Sequence, residues 1–76
     1  MVREVFRVGE MAMVDPGYHS GIWLRTEQNL AKSREMNRVS PGSRLLVLEI
    51  RNDDILVVGE GGVVGWTWTN RLKHLE

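Results

Sequence analysis

Two histidines, ten acidic residues, ten basic residues and no cysteine are the chemical resources of this 76-residue chain. Without cysteine there is no thiolate nucleophile, no thiolate metal site and no disulfide. His19 and Ser20 offer a base beside a hydroxyl, but chain neighbours do not provide the side-chain geometry that a base and its nucleophile need. Asp53 and Asp54 pair two carboxylates within Arg51-Asn52-Asp53-Asp54, where aspartate serves turn chemistry. Gly59-Glu60-Gly61-Gly62 is glycine-rich but lacks the lysine and the following helix of a phosphate-cradling loop. His19 and His74 stand far apart, with no paired carboxylates nearby. No catalytic residue, metal site or cofactor is therefore assigned, and an enzyme is not expected.

The elements that must position these residues belong to one domain, spanning 1–76. Hydrophobic residues make up 42% and charged residues 26% of the chain, as in a globular protein. A chain this short buries only about 60% of the surface its unfolded form exposes. With no disulfide or metal, it must pack well alone or gain stability from a partner or a second copy. No apolar run follows the N-terminus as in a secretory signal, and no stretch approaches the ~20 apolar residues of a spanning helix. A cytoplasmic protein with no membrane contact is expected.

Short apolar runs punctuated by glycine predict an all-β domain of about five strands. Residues 4–14 read as a first strand, bent at Gly9-Glu10. Asp15-Pro16-Gly17 is a turn, since proline presets φ and glycine accepts positive φ. Ile22-Trp23-Leu24-Arg25 reads as a short strand. Residues 26–41 are polar and free of glycine; a short helix capped by Asn29 and running to about Asn37 competes there with an irregular loop. Ser40-Pro41-Gly42 is a second turn. Arg44 to Ile50 is the clearest strand, Ile55 to Val58 returns from a tight hairpin, and Val63 to Thr69 follows the Glu60-Gly61-Gly62 turn, interrupted by Gly65. Strands this short around one core suggest a small barrel.

From Ile22 to Leu72 the chain resembles the bacterial SH3-like (SH3b) domain family. Ile22-Trp23-Leu24-Arg25 stands where the family has its Leu-Asn-Val-Arg motif. Met36-Asn37-Arg38-Val39-Ser40-Pro41-Gly42 fits its glycine turn, Leu45 and Val47 its Val-x-Val strand, and Gly65-Trp66-Thr67 with Arg71-Leu72 its closing motif. The family's Gly-Pro-Ser after the arginine is missing, with Thr26-Glu27-Gln28-Asn29 in its place. The resemblance implies a small SH3-like barrel that serves binding or docking. Val64-Gly65-Trp66 with Thr69-Asn70 is also similar to a segment of the small plasmid-type dihydrofolate reductases, but their Val-Gln-Ile-Tyr catalytic motif is absent.

The SH3b pattern places Leu45, Val47, Ile55, Val57 and Thr67 inward. The opposite face then carries Leu46, Leu48, Leu56, Val58, Val64, Trp66 and Trp68, nearly all apolar. Reversed parity exposes an equally apolar set. One small barrel has one interior, so a second apolar face must meet something else. Either the N-terminal strand or the 26–41 loop folds over it, with Phe6, Met11 and Met13 as cover, or it binds a protein partner or a second copy. Trp66 and Trp68 are the expected anchors, with Leu46, Leu48, Leu56 and Val58 around them. Tyr18, Trp23 and Arg25 form a second candidate surface, suited to a peptide or small ligand gripped by loop aromatics.

The zero net charge is unevenly spread. Segment 25–44 holds five cations against two acids, and segment 45–60 holds four acids against one cation. Lys32, Arg34, Arg38 and Arg44 could contact nucleic acid, although the balanced total gives no global field for a polyanion. The leading expectation is a non-catalytic binding or assembly module, a homo-oligomer or a docking domain, working through its apolar strand face. Nucleic-acid binding at the arginines and ligand binding at the loop aromatics are the alternatives.

Overall fold

A computed structural model describes residues 5–25 and 35–75. The strands are β1 (Met11–Val14), β2 (Ile22–Arg25), β3 (Glu35–Val39), β4 (Arg44–Arg51), β5 (Asp54–Gly59), β6 (Val64–Trp68) and β7 (Leu72–His74), with single 3-10 turns at Glu60–Gly62 and Thr69–Arg71. They form one seven-stranded sheet in the order β3-β2-β6-β5-β4-β1-β7, antiparallel at every pairing. The sheet curls on itself into a half-barrel of the small SH3-like type. Among the described residues no helix is long and apolar enough to cross a membrane.

Leu45, Val47, Ile55, Val57 and Thr67 are buried, as the SH3b pattern implied. Phe6, Ala12, Val14, Ile22, Leu24 and Leu72 complete the core. Each fully buried Val or Leu contributes roughly 1.5–3 kcal/mol before the entropy of ordering it is subtracted.

Three expectations change. Among the described residues the strands number seven rather than about five, because β3 and β7 are short and mostly polar, so neither shows an apolar alternation. The proposed helix to Asn37 gives way at its end, where residues 35–37 belong to β3 and pair with β2; its beginning lies outside the described residues. Among the described residues the first strand is shorter than the expected 4–14 and runs Met11–Val14. Ahead of it the chain turns at Val8-Gly9, with Gly9 at φ 89°, and Phe6 enters the core. Gly9 N–H donates to the Val47 carbonyl at 2.8 Å and Val47 N–H to the Glu10 carbonyl at 3.0 Å, so this segment extends the sheet instead of covering its outer face.

Opposite that attachment β4 carries a bulge. Val47 faces Val57 but Glu49 faces Leu56, which leaves Leu48 as the extra residue. Beyond the bulge the faces exchange, and Ile50 packs against the core. Gly65 explains the break in the β6 pattern. A Cβ there would lie 2.6 Å from Leu24 Cβ and 3.0 Å from the Arg25 carbonyl oxygen. Only glycine lets β2 pass this close over β6.

Candidate functional site

The close crossing at Gly65 sets up a cleft. Among the described residues β2 and β6 pair at Arg25 opposite Trp66, with Trp23 and Trp68 further along the two strands. Ile22, Trp23 and Arg25 from β2 and Thr67 and Trp68 from β6 line the space between them. Tyr18, Gly21 and Arg71 complete the lining, around a volume of about 240 Å³.

The loop carrying Tyr18 is held by its own backbone. Gly17 N–H donates to Asp15 Oδ1 at 2.8 Å, an Asx turn. Tyr18 N–H donates to the Asp15 carbonyl at 3.0 Å, and Gly21 N–H to the Tyr18 carbonyl at 2.8 Å. Gly21 has φ 80°, and a Cβ there would overlap the Val39 carbonyl oxygen, so no other residue fits. Asp15 N–H donates to the Arg71 carbonyl at 2.9 Å, which ties this loop to the turn that carries Arg71. Thr69 N–H donates to the Asp53 carbonyl at 2.9 Å and anchors the same turn to the β4–β5 hairpin.

The side chains form a series of stacked guanidinium groups and rings. The Arg71 guanidinium carbon lies 4.6 Å from the Tyr18 ring centroid and 5.6 Å from that of Trp68. Arg25 lies 5.1 Å from the Trp68 centroid. At the outer rim Arg38 lies 5.0 Å from the centroid of Trp23, which is 39% exposed. Each such contact is worth about 0.5–2 kcal/mol, more as it is desolvated. A stacked guanidinium uses its flat face on the ring and keeps its N–H edge for other partners. Arg71 makes no ion pair among the described residues. Thr67 adds a second polar feature: it is only 3% exposed, and its Oγ1 is buried with no hydrogen-bond partner among the described residues.

Tyr18, Trp23 and Arg25, singled out in the sequence, therefore meet in one cleft. Trp68 joins them, although it was grouped with Trp66. The two tryptophans share a face of β6, but Trp66 lies opposite Leu56 and Trp68 opposite Asp54. Arg71 and the Thr67 hydroxyl escaped sequence reading as site residues. Their only signal was Trp66-Thr67-Trp68 followed closely by Arg71, which also fits the closing motif of the SH3b pattern.

The outer face of the sheet holds the other candidate surface. Met11, Leu46, Val58 and Val64 are successive cross-strand partners on four strands. Leu56 and Trp66 form the adjoining row. Leu46, Leu56, Val58 and Trp66 are half-buried. Leu48 is 39% and Val64 49% exposed.

Of the cationic candidates, Lys32 and Arg34 lie outside the described residues. Arg38 is on β3 and Arg44 on β4 opposite Met13, and no described contact joins them. A smaller hollow of about 180 Å³ sets Arg38 with Glu60, Ser40 and Ser43. His19 and Ser20 are exposed in a turn. Among the described residues no group of three potential metal ligands is found. Comparison with known proteins finds no matching family model, no matching curated protein and no matching solved structure.

Proposed function

We propose that this chain is a non-catalytic binding module of the bacterial SH3-like kind, with the cleft between β2 and β6 as its recognition surface. The observation that carries the reading is Arg71, stacked on both Tyr18 and Trp68 at the cleft and without an ion-pair partner among the described residues. Rings and guanidinium groups held by turns and a glycine crossing are preorganised, so little ordering remains to be done on binding. The volume, about 240 Å³, is below the roughly 300–1,000 Å³ of sites for drug-sized molecules. It suits one side chain or head group of a larger ligand rather than a whole dinucleotide.

Selection of a displayed heptapeptide library on the immobilised domain tests this, with Trp68→Ala and Arg71→Gln as parallel baits. Sequences that enrich on the wild type and not on either folded variant support the cleft. Equal enrichment on all three refutes it.

Assembly through the outer face is a second reading, supported by the apolar row Met11–Leu46–Val58–Val64 across four strands. Here the partner is a second copy of the chain. Sedimentation equilibrium at micromolar concentration tests it: an oligomer that Val64→Lys returns to monomer supports this reading, and a monomeric wild type removes it. Nucleic-acid contact through Lys32, Arg34, Arg38 and Arg44 has less support, because Arg38 stacks on Trp23 and Arg44 lies on a different strand.

A further inference from the structure

We infer that the cleft takes a carboxylate carried on an extended acidic peptide, with Arg71 as its charged contact. The inference rests on the cleft being the recognition site and adds the class of ligand.

Charge comes first. The cleft lining includes two guanidinium groups, Arg25 and Arg71, and no carboxylate. A cationic ligand is repelled there. A neutral one leaves the N–H edge of Arg71 without a charged acceptor in a partly desolvated place. A planar carboxylate matches that edge with two parallel hydrogen bonds. Arg71 is also already fixed, between two rings and on a backbone bonded to Asp15.

Shape comes second. The cleft lies between β2 and β6, and Trp23 in its lining is 39% exposed. A peptide crossing the cleft places one acidic side chain inside and rests its neighbours on Trp23. The Thr67 hydroxyl, buried without a partner in the same lining, gains a hydrogen bond from a polar group that reaches it.

Size and net charge favour a peptide over a polynucleotide. The cleft, about 240 Å³, takes one side chain rather than a run of phosphates. The zero net charge of the whole chain adds no attraction for a polyanion.

The test is a titration followed through the indole N–H signals of Trp23 and Trp68 and the Nε–H signal of Arg71. The probes are a blocked heptapeptide of alanine and proline with one central glutamate, its glutamine counterpart, inorganic phosphate and a single-stranded oligothymidine. The expected result is saturable shifts with the glutamate peptide, weakened about tenfold or more by the glutamine replacement, as for loss of a hydrogen bond to a charged group. Arg71→Gln should weaken the glutamate peptide equally and leave the glutamine peptide unchanged. Equal binding of the two peptides at these signals overturns the carboxylate and leaves the cleft standing as the site. Phosphate binding as tightly as the glutamate peptide, or oligothymidine binding more tightly with a steep salt dependence, overturns the acidic peptide. If no probe moves the three signals, the cleft reading fails together with the inference. The comparison of peptides on the wild type needs no variant to fold.

Discussion

Replacing Thr67 by valine should make this domain more stable. Thr67 sits on β6 with 3% of its surface exposed, and its Oγ1 has no hydrogen-bond partner among the described residues. An unmade hydrogen bond of a buried hydroxyl costs about 1–3 kcal/mol. Valine keeps the β-branched shape that suits a strand and substitutes a methyl group of similar size. Taking the lower end, because the residue lines a cleft, the gain is about 1 kcal/mol. For a domain of 60–100 residues that raises Tm by about 4–8 °C. Thermal melts followed by circular dichroism measure it, together with urea melts in which the midpoint rises and the slope stays constant. The same variant should bind the glutamate peptide several-fold more weakly, since a partner for the ligand is lost. An unchanged or lowered Tm refutes the reasoning, and would mean that the hydroxyl is satisfied in solution, for instance by a buried water.

Other substitutions probe the frame around the cleft. Gly65→Ala forces a methyl group against Leu24 Cβ and the Arg25 carbonyl; overpacking against backbone should cost about 3 kcal/mol, lower Tm by more than 10 °C and abolish peptide-induced shifts at Trp68. Asn52, at φ 56° in the β4–β5 hairpin, should tolerate glycine, whereas Asn52→Val should lose about 1–2 kcal/mol in urea melts. Glu49→Gln removes the negative charge of the 2.7 Å surface pair with Arg51 Nε and should change stability by under about 1 kcal/mol, since exposed pairs contribute little.

The β4–β5 hairpin was legible in the sequence because the turn residues Asn52-Asp53 separate two apolar runs. The core parity was legible only through the SH3b spacing, since either face of these strands is apolar. The bulge at Leu48 was not legible. In Leu45-Leu46-Val47-Leu48 both faces are apolar, so an extra residue leaves no mark on the pattern that normally fixes register. β3 and β7 were missed because they lie at the two edges of the sheet, where few side chains point inward and charges such as those of Arg38 and Lys73 guard against edge pairing. The cleft was half legible. Tyr18, Trp23 and Arg25 stood out as aromatic and basic residues near a loop. Trp68 and Arg71 joined them only through the placement of β6 beside β2 and the 3-10 turn after it, which depend on how the whole sheet curls.

The stacking of arginines on rings answers a structural need and creates the chemistry of the cleft by the same contacts. None of the three tryptophans nor the tyrosine is fully buried in the core. Arginine covers such rings well, because its stem and flat guanidinium are poorly hydrated while its N–H edge stays polar. An unrestrained arginine loses about 2 kcal/mol of side-chain entropy when it is fixed by a ligand. Arg71, held between Tyr18 and Trp68, has already lost much of that freedom on folding. Its attraction for a carboxylate is therefore offset less by ordering than that of a solvated arginine such as Arg44. It follows that Tyr18→Leu, which removes one of the two rings and touches no charge, should weaken the glutamate peptide several-fold while leaving its dependence on salt unchanged. A loss of affinity accompanied by a loss of salt dependence would instead mean that Arg71 had moved out of the cleft, and that the rings hold it in place rather than prepare it.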